Sequence, residues 1–198
     1  MGIDVSIKQQ SDIRAFLINE YGKHDGILYF EEQRLELNDL LRKTKGKSKN
    51  QYKTLMNTIL PRIALYNVLK KVQRDVKSAL DVERGYMINV VGEKKHAATA
   101  RIERFPGFFH IYRSVYLKIM RTTDLQKSTQ ESGKGYYDIT ITNCLWHNAC
   151  VEHGCPELCE LFCDVDDVHY GGLRKIGFSR TKTLGYGGDC CDFHFYKK

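Results

Sequence analysis

The stretch Tyr136-Tyr-Asp-Ile-Thr-Ile-Thr142 decides the fold. Apolar and polar residues alternate through it and β-branched residues dominate, the signature of a half-buried strand. Downstream, Asn143 is a good N-cap for a helix running to His153, which Gly154 ends. Cys155-Pro156-Glu157 restarts a helix with Pro in its first turn. Leu173 to Leu184 and Cys191 to Tyr196 read as two further strands, with Tyr186-Gly-Gly-Asp189 as the turn between them.

Upstream of residue 136 the apolar period is helical. Ile7 to Glu20 (Ile7, Ile13, Phe16, Leu17) and Glu31 to Arg42 (Leu35, Leu37, Leu40, Leu41) are amphipathic. Tyr52 to Val82 offers Leu55, Ile59, Ile63, Leu65, Val68, Leu69, Val72 and Val76 as core, and Pro61 is expected to kink or divide it. Helices near Val82–Arg104 and Phe108–Thr123 follow. The class is therefore α+β, with N-terminal helices packed on a C-terminal antiparallel β-sheet of strands near 136–142, 174–184 and 191–196. The 198 residues suit a single domain, with a helical part at about 1–130 and a Cys-rich part at about 135–198.

The chain carries 31 Lys and Arg against 24 Asp and Glu, a net +7. Residues 1–150 hold 25 basic and 16 acidic side chains (+9), and residues 151–198 hold 6 and 8 (−2). The densest cluster, Arg42, Lys43, Lys45, Lys47, Lys49 and Lys53, has no Phe or Trp interleaved to stack bases, so it reads as a mobile solvated loop. No specific nucleic-acid binding is expected, while an anionic small-molecule substrate would gain from the field. There is neither an apolar run long enough for a bilayer nor a secretory leader, so no membrane partner and a cytoplasmic location are expected. Gly2 and Ser6 match a loose myristoylation pattern. A homo-oligomer is compatible with the sequence.

All seven cysteines, Cys144, Cys150, Cys155, Cys159, Cys163, Cys190 and Cys191, lie in the last 55 residues. An odd count without a secretory leader favours reduced thiols. Cys155, Cys159 and Cys163 would form one row on a helix face, as core packing first, and otherwise as metal ligands or a reactive thiol. Cys144 stands where a strand meets a helix N-terminus, whose dipole and unpaired N–H groups lower a thiol pKa. His147, one turn on, could serve as base or hydrogen-bond partner or face solvent. Asp166, in the acidic run Asp164-Val-Asp166-Asp167, is a proton-transfer candidate, and Arg180 could clamp a carboxylate or pair across strands. His169 and His194 are possible ligands or bases. No phosphate-binding or dinucleotide glycine motif and no metalloprotease motif is present.

Asn143-Cys144-x18-Cys163-Asp-Val-Asp166, followed by Arg180-Thr-Lys-Thr183-Leu184-x2-Gly187-x3-Cys191-Asp-Phe193-His-Phe195, resembles the L-2-amino-thiazoline-4-carboxylic acid hydrolase family. Leu60-Pro-Arg-Ile-Ala-Leu-Tyr66-Asn-Val-Leu69 is similar to the family's helical region. More distantly, the ending resembles the Cys-containing ligand-binding domains of the 4-vinyl reductase type, which would imply a non-catalytic small-molecule or metal sensor. The first resemblance implies opening of a 2-aminothiazoline ring to N-carbamoyl-L-cysteine, a step toward cysteine, without cofactor or metal. It implies catalytic roles for Cys144, Cys163, Asp166 and Cys191, with Arg180 holding the substrate carboxylate; His147 and His194 are further candidate substrate-binding residues. Cys144, or else Cys163, would attack C2 as a thiolate, with Asp166 exchanging protons; direct attack by water fits the same residues. Cys150, Cys155, Cys159 and Cys190 lie outside the pattern.

Overall fold

The computed structural model describes residues 8–198, so Ile7 and the Gly2/Ser6 pattern lie outside the described residues. The chain divides into two compact units, residues 1–86 and 87–198.

The first unit is helical: α1 (Lys8–Lys43), α2 (Lys49–Thr54), α3 (Leu60–Gln73) and α4 (Val76–Tyr86). The two expected N-terminal helices are joined through residues 21–30 into α1, whose one break is Gly22 at φ 78°, ψ 171°. That conformation suits glycine, which has no Cβ to clash. The expected kink at Pro61 takes the form of a π-helical turn, Leu55–Ile59, closed by the Leu60 N–H on the Leu55 carbonyl. Proline has no N–H for the preceding turn, and the widened turn absorbs that mismatch while the helix continues into α3. Ile13, Leu17, Leu55, Ile59, Ile63, Leu65, Val68 and Leu69 are buried as expected. Leu35 and Val76, expected inside, are exposed; Val76 opens α4 just past the α3 terminus, where Arg74 takes a left-handed conformation.

The basic stretch 42–53, expected as a mobile loop, is helical at both ends and leaves only residues 44–48 outside helices. Ser48 and Gln51 form a reciprocal capping box that starts α2. Two orphan donors are thereby satisfied, which fixes the connection despite its charge.

The second unit contains α5 (Glu93–Ile102), α6 (Phe108–Thr122), β1 (Gln126–Ser132), β2 (Tyr136–Cys144), α7 (Leu145–Glu152), α8 (Cys159–Tyr170), β3 (Ile176–Ser179) and β4 (Cys191–Lys197). A π-helical turn, Met87–Gly92, precedes α5, and short 3-10 turns occupy Pro156–Leu158 and Leu184–Tyr186. The sheet is fully antiparallel in the order β1-β2-β4-β3. Tyr137 pairs with Phe195, Ile139 with Phe193 and Ile141 with Cys191, so these side chains share the buried face. Phe108, Phe109, Leu117 and Met120 of α6, with Tyr170 of α8, complete that core. The α+β class holds, with a helix from the first two-thirds of the chain against an antiparallel sheet.

Two strand boundaries differ from expectation. The segment 174–184 contributes only Ile176–Ser179; after it the backbone N–H groups of Thr181 and Lys182 bond the Asp192 carboxylate instead of a strand, so Arg180 lies in a loop. The strand β1, Gln126–Ser132, was not expected, because its alternation is entirely among polar residues. No described helix is long and apolar enough to cross a membrane.

Candidate functional site

β2 ends at Cys144, which caps α7 in place of Asn143; the Asn143 side chain instead accepts a hydrogen bond from Asn148. The Cys144 side chain makes no capping hydrogen bond, and the nearby Trp146 and His147 backbone N–H groups only pull its thiol pKa down, as expected near a helix N-terminus. Burial outweighs them and pushes the thiol up to about 11, opposite in direction to the activation expected from position alone. Cys144 is therefore a neutral thiol near pH 7. Its alkylation by iodoacetamide is expected to be slow at neutral pH and to rise about tenfold per pH unit until the pH nears 11. A rate already flat between pH 7 and 9 would show an activated thiolate.

Cys155, Cys159 and Cys163 do not form one helical row. Cys155 precedes the Pro156–Leu158 turn, and only Cys159 and Cys163 lie on α8. The thiols nonetheless form a chain: Cys150 interacts with Cys155 and Cys159, and Cys159 with Cys163. The neighbouring Cys150 and Cys163 thiols lower the pKa of Cys159. Cys150, Cys155 and Cys159 are buried, so core packing is their first role. Among the described residues no group of three His, Cys, Asp or Glu side chains is placed to hold a metal ion.

Along α8, Cys159, Cys163, Asp166 and Tyr170 succeed each other at helical spacing and share a face. Desolvation raises the Asp166 carboxyl above its usual value of 3.8, against the opposing pull of Lys95 and Arg180. The hydroxyl-bearing rings of Tyr112, Tyr116 and Tyr170 lie within the electrostatic reach of the same carboxylate. Tyr112 donates to the Tyr170 hydroxyl at 3.2 Å. Tyr112 and Tyr116 stand at i and i+4 on α6, a spacing that places them together but does not say what they face.

Arg180 bonds the Cys163 carbonyl at 3.1 Å and the Asp167 carboxylate at 2.6 Å, with its side chain only 9% exposed. These bonds anchor the loop after β3 to α8 and occupy two of the five N–H donors of the guanidinium. The next turn is anchored as well. Thr183 caps it through the Tyr186 N–H and bonds the Cys163 thiol, while the Leu184 N–H donates to the Cys191 sulfur at 3.4 Å. A Cβ on Gly185 would come within 2.8 Å of the Cys163 sulfur and 3.0 Å of the Cys159 carbonyl, so only glycine allows this approach. Burial also raises the Cys191 thiol.

Cys144, Cys159, Cys163, Asp166, Arg180 and Cys191 are thus linked by bonds or electrostatic reach. His147 interacts electrostatically with Cys159. His194 is not brought to this group. It alternates with the inward Phe193 and Phe195, so it faces the other side of the sheet, bonded to Asp138 at 2.5 Å and stacked against Tyr136 and Tyr196. His169 bonds the Thr99 hydroxyl at 2.8 Å, and burial lowers its pKa to about 4, so its ring is neutral at pH 7.

No curated protein matches the sequence. Two crystal structures of an H-NOX protein from S. oneidensis align weakly. A triple mutant in the Fe(II) ligation state shows 11% identity and a TM-score of 0.35 over 95% of this chain and 93% of that one. The Fe(II)NO state shows 13% identity and a TM-score of 0.33 over 95% and 96%. Neither carries a functional argument. The sequence model of a family described as L-2-amino-thiazoline-4-carboxylic acid hydrolase, by contrast, matches residues 52–195 of the 198, from α2 through β4 and across every residue of the thiol and Asp166 group. The chain belongs to the L-2-amino-thiazoline-4-carboxylic acid hydrolase family.

Proposed function

We propose that the protein hydrolyses a small cyclic amidine of the 2-aminothiazoline carboxylate type to a carbamoyl amino acid, with Asp166 activating water. The carrying observation is the setting of Asp166: a carboxyl raised by desolvation, flanked by Arg180 and Lys95, one turn from Cys163. A partly desolvated carboxylate is a stronger base than an exposed one, and the Lys95 and Arg180 cations favour its ionised form.

In the first half of the reaction a water oxygen bonds C2, and Asp166 takes a proton from that water and passes it to the ring nitrogen. In the second half the C2–S bond breaks as the C2 hydroxyl becomes a carbonyl. Asp166 removes the hydroxyl proton and returns it to the departing sulfur. Water is consumed, and the product carries a urea and a free thiol. The remaining Arg180 donors suit the ring carboxylate. Cys144 and Cys191 line the site as neutral thiols, because burial raises both. Thiolate attack by Cys144 would first have to remove a proton held to about pH 11, which favours water.

Incubation of the purified protein with 2-amino-thiazoline-4-carboxylate is expected to give a product heavier by one water, read by mass spectrometry. The Cys144→Ser protein is expected to keep turnover within about tenfold of the parent, since a lining hydroxyl replaces a lining thiol. Loss beyond about a thousandfold with the fold intact would make Cys144 the nucleophile. No product from the parent protein would overturn the hydrolase reading in favour of a binding domain.

A further inference from the structure

The second unit has a cleft of about 540 Å³ away from the thiol group, lined by His96, Ala100, Glu103, Arg104, Gly172, Arg174 and Lys175. Its charges are not equally available. The Glu103 carboxylate accepts the Lys175 backbone N–H at 2.5 Å, and the Lys175 ammonium bonds the Arg104 and Phe105 carbonyls at 3.3 and 3.0 Å. These contacts fix the cleft wall. Arg104 and Arg174 keep exposed guanidinium groups on the same cleft. His96 is held in place by its Nδ1, which donates to the His169 carbonyl at 3.1 Å, so Nε2 is left for a ligand. Gly172, at φ +75°, brings the backbone close to the His96 ring.

A smaller cavity of about 260 Å³ shares Lys175 and is lined also by Gly107, Phe108, Phe109, His110, Lys197 and Lys198. It lies at the start of α6, a 15-residue helix whose cap, Gly107, supplies no side-chain bond to the first N–H groups. Basic side chains and a helix N-terminus therefore converge beside two phenyl rings.

We propose that this paired cavity binds a phosphorylated small molecule. The phosphoryl group sits between Arg104 and Arg174, and a less polar body extends toward Phe108 and Phe109. Guanidinium forks match the oxygens of a phosphoryl dianion bidentately, and the volume of the larger cleft is that of a small-ligand site. The binding is independent of the hydrolytic reading, since no residue of the thiol and Asp166 group lines either cavity.

Isothermal titration with inorganic phosphate, AMP and adenosine tests it at physiological salt. AMP is expected to bind more tightly than phosphate, and adenosine weakly or not at all. Arg104→Ala/Arg174→Ala is expected to weaken AMP at least tenfold. Arg121→Ala/Lys127→Ala, which removes the same charge from elsewhere in the unit, is expected to change it less than threefold. Equal losses in the two double variants would reduce the effect to the general basic field and overturn the site, as would undetectable AMP binding. Adenosine binding as tightly as AMP would overturn the phosphoryl assignment. Circular dichroism of each variant distinguishes lost binding from lost fold.

Discussion

Asp166→Asn is expected to lower turnover of the aminothiazoline acid by about 10²- to 10⁴-fold, the range for removal of a general base. The amide keeps the size and part of the hydrogen bonding of the carboxyl but cannot take a proton. The parent rate should fall as pH falls through a value above the ordinary 3.8, because desolvation holds the folded-state carboxyl up. That acid limb should vanish in the variant. The stability sign runs the other way. A carboxyl raised in the folded state favours folding when protonated and costs stability as pH rises through its pKa, so a group that cannot ionise removes this cost. The Asn protein is therefore expected to unfold no earlier than the parent at neutral pH. Lost turnover together with lost stability would mean a structural role, and retained turnover would remove Asp166 from the chemistry.

Alternation at 136–142 gave β2 correctly because its inward residues, Tyr137, Ile139 and Ile141, are apolar and its other face is polar. β1 offered no such contrast: Ser128, Gln130 and Ser132 face the same side as the core residues of β2, yet all three are polar. As an edge strand it is held by backbone pairing on one side only. The stretch 180–184 shows the converse error. It keeps a strand-like pattern, but the bonds of Arg180 to α8 and of the Asp192 carboxylate to 181–182 replace the ladder, and neither could be foreseen from spacing.

The site divides the same way. Cys144 at a strand-to-helix junction and Asp166 one turn after Cys163 were readable locally, because each depends on neighbours a few residues away. Whether the helix terminus or burial controls a thiol depends on what packs over it, and over Cys144 burial wins. Tyr112, Tyr116 and Lys95 reach Asp166 only through the packing of α6 and α5 against α8, at separations of 50 residues or more. His194 was misplaced by counting residues without counting faces: it lies one residue from Phe193 and from Phe195, and therefore on the opposite side of the sheet.

The sheet itself provides the largest expected effect on stability, at Phe195. Its side chain is fully buried and meets Tyr137 at 4.7 Å in a stacked arrangement, Tyr170 and Phe178 at 4.9 Å, and Tyr116 at 5.4 Å. It thereby joins β2, β3 and β4 to α6 and α8. Phe195→Ala leaves a cavity walled by rings from four elements, which cannot all move inward together, and is expected to cost about 3–5 kcal/mol. Tyr196, the next residue, is 39% exposed on the opposite face, so Tyr196→Ala is expected to cost less than about 1 kcal/mol. Denaturant midpoints followed by far-UV circular dichroism give both values, with unchanged m-values as the condition for comparing them. Equal costs at the two positions would mean that the sheet is not held by its inner face. A large Phe195 cost would also predict faster alkylation of Cys191, its neighbour on that face two pairs away on β4, because local opening exposes the strand that carries both.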